Sequence, residues 1–397
     1  MAEESPASAA IAARMITITQ LLTLVVFWNG AYKGVRVVNT LYALELGATP
    51  LHTGLLLATY GVFPLLLAVP AGRIADRYGS RIPIIAGMAV CTLGALLPWF
   101  ASSLALLFAA AALTGLGFIM SQVALQSLIG SLGEGAARTS NFNLYALVIA
   151  VADFAGPVIA GFSIDKAGYE RTYLVFAVLS AVAAIGIAAF ARRIPRPGVP
   201  RTRPAGSRMM DLVRDAEMRR VLIAGAVVMT GIDLFQLYMP LYGHQAGLSA
   251  SAIGMILGAA AAASFVSRAL IPVLVKQYGE ERTLLHALFL TAAMFALIPF
   301  FTSALLLGLI CFVLGFGMGL GQPLTVILCY NYSPPGRAGE SLGLRIAINN
   351  SMHVVVPAFF GGVGAALGLA PVFWVNAGII AAGNWFVRRR SAPTGGG

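Results

Sequence analysis

Apolar runs of about 20 residues, each closed by a short cluster of glycine, proline or charge, recur along the whole chain. A run of that length crosses a hydrocarbon core of about 30 Å as an α-helix. The pattern predicts twelve helical spans, at 15–43, 50–71, 82–101, 104–129, 141–164, 171–191, 219–242, 250–272, 283–302, 305–330, 341–364 and 370–387. Composition agrees: 59% of the 397 residues are hydrophobic and the mean hydropathy is +0.85, against roughly 45–50% apolar content in a soluble domain. The expected fold class is an all-α membrane protein with twelve transmembrane helices.

The first residues, MAEESPASAAIAARM, are small and acidic with no cleavage-site pattern, and read as a cytosolic tail. Cys91, Cys311 and Cys329 all fall inside predicted spans, so neither a disulfide framework nor a zinc spacing is available. No metal and no cofactor is expected.

The formal charge of +11 is spread unevenly. With the N-terminus inside, the even-numbered connections carry Arg73, Arg77, Arg81, Arg138, Lys276, Arg282 and Arg337. Nine further arginines fill the stretch from Arg192 to Arg220, and Arg388, Arg389 and Arg390 lie in the tail, whereas the other side has little beyond Lys166 and Arg171. Such asymmetry predicts a multi-pass protein of the inner (plasma) membrane with both termini cytoplasmic. Membrane orientation therefore explains the basic balance, and nucleic acid is not an expected partner.

LYALELGATP at 41–50 and LYGHQAGLSA at 241–250 match at an offset of 200. The same register pairs Tyr78-Gly79 with Tyr278-Gly279, Gly115 and Gly117 with Gly315 and Gly317, Gln122 with Gln322, Pro157 with Pro357 and Gly161 with Gly361. This predicts two pseudo-symmetric six-helix bundles, 1–191 and 219–397, joined by a cytosolic linker at 192–218. The arginine- and proline-rich stretch ARRIPRPGVPRTRPAGSRMM has the composition of a solvated connector. Met210 to Arg220 reads either as an amphipathic helix on the anionic membrane surface or as a connector held there by charge alone.

Between spans two and three stands Gly72-Arg73-Ile74-Ala75-Asp76-Arg77-Tyr78-Gly79-Ser80-Arg81. With twelve spans in two repeats and a long central loop, this resembles the major facilitator superfamily, whose signature there reads roughly G-x-L-x-D-R-x-G-R-R/K; Ser80 departs from it. The resemblance implies two bundles rocking about a central cavity. Gly72 and Gly79 let the backbone approach and turn, and Arg77 and Arg81 stay at headgroup level. Asp76 is the odd acid, and the resemblance directs it to the positive N-terminus of span eleven near Glu340-Ser341, where it would favour the outward-open state. Breaking such a contact costs about 1–2 kcal/mol, enough to tilt a two-state equilibrium about tenfold. The alternative is a simple topology anchor. The second-half loop, Lys276 to Arg282, has no such aspartate, so a latch would be one-sided.

Gly156-Pro157-Val158-Ile159-Ala160-Gly161 resembles the G-P-x-x-G-G pattern of proton-driven antiporters, with Ala160 in place of a glycine, and Pro357 and Gly361 repeat part of it. Helix packing alone would also account for it.

A charge at mid-membrane costs about 3 kcal/mol and requires a partner or a wet cavity. The chain places Lys33, Arg36, Asp153, Asp233, Arg268, Arg345 and His353 inside spans. Asn29, Lys33 and Arg36 share one helical face with Tyr32 beside them. The repeat sets Lys33 against Asp233 and Arg36 against Gln236, so Lys33 and Asp233 are expected to face each other across the cavity, as a direct pair or as joint substrate ligands. A static ion pair is the alternative. Gln122, Gln126 and Gln322 are placed in the cavity or act as polar glue between helices. Arg345, Asn349 and His353 share a face of span eleven, with Arg345 near enough to the surface to snorkel instead. The positive surplus fits an anionic or zwitterionic solute. Drug antiporters of the resembling branch carry a basic residue in span four, and GFIMSQVALQ has none.

Proton coupling needs a group that changes charge between states, which a desolvated carboxyl or a histidine can do. Asp233 and Asp153, ahead of His353, are the candidates. The expected function is secondary active transport of a small organic solute by alternating access, first as proton-coupled efflux and second as uptake or exchange of an organic anion. Partners are the solute, protons and the lipid bilayer, and the chain is expected to act as a monomer. An intramembrane enzyme would need a nucleophile with its base or a metal cluster, but the four histidines are scattered and neither G-x-S-x-G nor H-E-x-x-H occurs. A receptor would need a signalling domain, and the soluble pieces are short.

Overall fold

The computed structural model describes residues 18–131, 135–190, 209–334 and 338–388. Among them there are helices and no strand: α1 (Ile18–Glu45), α2 (Pro50–Tyr78), α3 (Arg81–Phe100), α4 (Leu104–Ser131), α5 (Gly135–Ala189), α6 (Met209–Arg214), α7 (Ala216–Gln245), α8 (Ala250–Tyr278), α9 (Glu280–Leu297) with a 3₁₀ turn after it, α10 (Ala304–Asn331), α11 (Ala338–Leu367) and α12 (Leu369–Arg388). Ten helical stretches among the described residues are long and apolar enough to cross a membrane. The difference from twelve has two causes. Spans five and six form one helix that breaks at Gly168 (φ 79°), and α1, whose apolar run is interrupted by Asn29, Lys33, Arg36 and Asn39, falls outside the ten.

The repeat is written into the backbone. Six glycines have left-handed φ values, and they fall into three pairs 200 residues apart: Gly47 and Gly247, Gly79 and Gly279, Gly168 and Gly368. A side chain there would strain the turn, so glycine fixes where helices end. Helices α1 to α5 pack on one another and α7 to α12 do likewise; the two bundles meet along α2 with α11 and α5 with α8.

The surface reverses the soluble pattern. Leu66, Ile185, Phe289 and Leu305 stand outward and exposed, while Asn39, Thr53, Asp233 and Asn376 are buried. Some of these groups join helices: Asn39 Nδ2 donates to the Tyr60 hydroxyl at 2.6 Å and Tyr173 donates to Asn39 Oδ1 at 2.5 Å, tying α1, α2 and α5 together, whereas both amide atoms of Asn376 have no partner among the described residues. Interhelical hydrogen bonds of this kind contribute about 0.6–2 kcal/mol each in lipid.

The expected surface helix at 210–220 is shorter, because Asp215 adopts an extended conformation and caps α7, its Oδ1 accepting from Met218 N at 2.8 Å. Only Met209–Arg214 remains as α6, and Leu212 is buried in the core rather than turned to a membrane surface. The N-terminal tail, linker residues 191–208 and the tail from Arg389 lie outside the described residues.

The turns at 46–49, 101–103, 246–249 and 301–303 share one end of the molecule, the turn end; the connections at 79–80 and 279 mark the other, charged end. At the turn end the bundles are shut. A Cβ on Gly54 would stand 2.5 Å from the Pro357 carbonyl oxygen, and one on its repeat mate Gly254 2.5 Å from that of Pro157. Asp165 of α5 reaches the N-terminus of α8, where Oδ1 accepts from Ala250 N at 3.1 Å and Oδ2 from Ser251 N at 2.8 Å.

Candidate substrate cavity

On the charged-end side of these contacts a cleft between the bundles opens to solvent, with about 920 Å³ of empty space counting the solvent at its mouth. Its walls come from α1, α2 and α5 of one bundle and α7, α8 and α10 of the other. Polar groups are few: Lys33, Arg36, Asp153, Gln236, Ser264 and Arg268. Leu57, Ile232, Phe235, Leu257, Phe265 and Met318 make up much of the rest, a composition suited to a solute with an apolar body.

Lys33 does not pair with Asp233. Its Nζ lies 2.6 Å from Asp153 Oδ1, and the two side chains are 20% and 29% exposed to the cavity. Asp233 instead meets His353, whose Nδ1 stands 2.8 and 2.9 Å from the two carboxylate oxygens. The reason is adjacency. Gly156, three residues after Asp153, lets α5 lie against α1, so close that a Cβ there would be 2.8 Å from both the Gly30 carbonyl oxygen and Lys33 Cβ. A desolvated ammonium takes the carboxylate of the touching helix, and Asp233, 2% exposed, does not reach across the cavity. Since Lys33 is the repeat mate of Asp233 and Asp153 of His353, the pairs are symmetric with their charges reversed.

Arg36 lies 5.9 Å from the Tyr32 ring centroid and 5.6 Å from that of Tyr60. Tyr32 stacks on Phe118 at 3.8 Å, and Phe118 on Trp28 at 5.2 Å. Tyr32 thus supports the guanidinium from behind instead of lining the cavity, and Asn29 is buried with Nδ2 turned to the Val25 carbonyl of its own helix at 3.5 Å.

The glutamines and the α11 face also depart from expectation. Gln122 is half-buried and Gln126 exposed, and neither lines the cavity. Arg345 is 5% exposed and bonded within its own bundle: Nη2 donates to Gln322 Oε1 at 2.7 Å, to the Gln322 carbonyl at 3.2 Å and to Thr325 Oγ1 at 3.0 Å. It neither snorkels nor opens into the cavity, and it takes Gln322 with it. Asn349 is buried beside Gly225, its Oδ1 without a hydrogen-bond partner. In exchange the structure adds Arg268 and Ser264, spaced i, i+4 on α8. That spacing was visible in the sequence; the direction of the face was not.

At the charged end Gly79 turns the chain with φ 88° and Arg81 begins α3, exposed. The side chains of Asp76 and Arg77 and the surroundings of Gly72 lie outside what the structure describes. Ser341 is buried, its Oγ without a partner. Among the described residues no cluster of three or more His, Cys, Asp or Glu could hold a metal, and the three cysteines are buried and free.

Two helical bundles around a solute-sized cavity at membrane depth define a membrane transporter. The chain belongs to the Major Facilitator Superfamily, whose family model matches residues 16–357. It is 31% identical over 134 residues to the methylenomycin A resistance protein of Bacillus subtilis (33% of this chain, 28% of the relative). It is also 31% identical over 157 residues to multidrug resistance protein D of Escherichia coli (40% and 39%). These matches therefore span well under half of either relative. A longer match, 23% identical over 330 residues, covers 82% of this chain and 83% of the class G tetracycline resistance protein of Vibrio anguillarum. In fold the chain is similar to a solved peptide transporter (TM-score 0.78, 14% identity, 96% of each chain). A solved nucleoside transporter is similar as well (TM-score 0.75, 12% identity, 94% of this chain and 99% of the other).

Proposed function

We propose that this transporter exports a small organic solute in exchange for protons, exposing the cavity alternately at the charged end and the turn end. The observation that carries this reading is the pairing of Lys33 with Asp153 and of Asp233 with His353, one acid–base pair per bundle around the cavity. Protonating either carboxylate discharges its pair and frees the basic partner, which makes occupancy by a proton and arrangement of the bundle interdependent. Asp153 is reached from the cavity in this state; Asp233 is sealed. Relatives named for drug and tetracycline resistance support export.

The arginine distribution supports placing the charged end, and both termini, on the cytosolic side of the inner membrane. The cavity then faces the cytosol, the loading side of an exporter. Bundles 1–191 and 219–397 move as units on the linker 192–218. Pro157, Gly161, Pro357 and Gly361 form the seam that opens at the turn end, with Gly156 holding α5 against α1 behind it, and the Gly72–Arg81 segment closes the opposite end through Asp76. The chain works as a monomer.

Everted membrane vesicles with an imposed inside-acid gradient test the proposal, using tetracycline and a panel of amphipathic dyes. The wild type should dissipate the gradient when a transported solute is added, and Asp153→Asn and Asp233→Asn should each lower that flux at least about tenfold, since an uncharged amide cannot cycle a proton. Undiminished coupled flux in both variants overturns the assignment. The positive cavity also fits uptake or exchange of an organic anion, and the direction of flux in the same vesicles separates the two.

A further inference from the structure

Three cations and one carboxylate line the cavity. Lys33 and Asp153 neutralise each other at 2.6 Å. Arg36 and Arg268 are left over. Among the described residues neither guanidinium is in ion-pair contact with a carboxylate, and Arg268 Nε is buried with no hydrogen-bond partner. Arg345, by contrast, sits in the same membrane with its donors satisfied by Gln322 and Thr325. A cation at membrane depth is retained where something supplies its counter-charge, and a buried donor left unpaired is costly. What the two cavity arginines lack is an anion.

Arg36 belongs to α1 and Arg268 to α8, on opposite bundles, so one anionic group between them would also tie the bundles together on the charged-end side. Around them the wall is apolar, with Phe235, Phe265, Leu257 and Met318. We infer that the solute is an amphipathic organic anion whose carboxylate-like head is gripped by Arg36 and Arg268 while its apolar body lies on these four side chains. Planar guanidinium groups suit a two-oxygen head, which each can meet with paired N–H donors. This deepens the transport reading of the cavity and rests on it.

The test uses the purified full chain and three probes that share one naphthalene body: naphthoate, naphthamide and naphthylmethylamine. Binding is read by calorimetry and by the rise in melting temperature with ligand concentration. Naphthoate should bind at least about tenfold more tightly than the amide, and the amine should not bind. Arg36→Gln and Arg268→Gln should each abolish the preference for naphthoate over the amide, with Arg268→Lys intermediate because it keeps the charge without the fork. Unliganded melting curves identify any variant that fails to fold, and the Arg268 pair of variants then carries the test. Equal affinity for acid, amide and amine, no binding by any of them, or an acid preference that survives both glutamine variants overturns the inference. Proton-driven flux of naphthoate in proteoliposomes separates the two layers: selective binding without flux sinks the exporter reading and keeps the anion grip, whereas coupled flux without charge preference does the reverse.

Discussion

At residue scale the charges inside the bundles sort themselves by proximity. Lys33 and Asp153 stand on touching helices, as do Asp233 and His353, and the second pair repeats the first with reversed polarity. Removing one partner leaves a partly buried charge, so Lys33→Gln or Asp153→Asn should each destabilise the protein by about 2 kcal/mol, between the values for surface and fully buried pairs. The exchange Lys33→Asp with Asp153→Lys should recover at least half of the loss in melting temperature, whereas independent sites would lose the sum. The sequence showed which residues are charged at membrane depth and how the repeat relates them. It did not show partners. Lys33 and Asp233 are symmetry mates, and mates face one another only where the helices carrying them touch; here α1 touches α5 more extensively than α7. The same limit hid the direction of Arg345, because helical periodicity places it on a face with Asn349 and His353 but does not say that Gln322 and Thr325 lie in front of it.

At the scale of helices, the turn end is held by close backbone contact at Gly54 and Gly254 and by Asp165 across the N-terminus of α8. Two charge-assisted hydrogen bonds to a helix N-terminus contribute about 1–2 kcal/mol, so Asp165→Asn should shift the population roughly tenfold toward opening at this end. A cysteine at Ser251 in that background should then react several-fold faster with an impermeant maleimide than in the wild type, and an unchanged rate would remove Asp165 from the gate. The three native cysteines are buried and add little background. Gly254→Val should act in the same direction, because a side chain there collides with the Pro157 carbonyl and wedges α5 from α8. The glycine and proline pattern of this seam was legible in the sequence. Asp165 was not, since its acceptors meet backbone N–H groups, which no pattern of side chains reports.

For the whole molecule the recurrence at 200 residues was the most informative signal. It reappears in three pairs of left-handed glycines and in matching turns, while hydropathy alone divides the same helices into ten apolar stretches. The central claim is that the bundles open at one end as they close at the other. Electron–electron distance measurements between spin labels test this directly. One pair sits at the turn end, on Glu45→Cys and Gln245→Cys, and one at the charged end, on Ile82→Cys and Arg282→Cys, all exposed positions related by the repeat. On introducing Asp165→Asn, the turn-end distribution should gain a longer component while the charged-end distribution gains a shorter one, in equal proportion. Distributions that stay unchanged, or lengthen together, would contradict reciprocal opening.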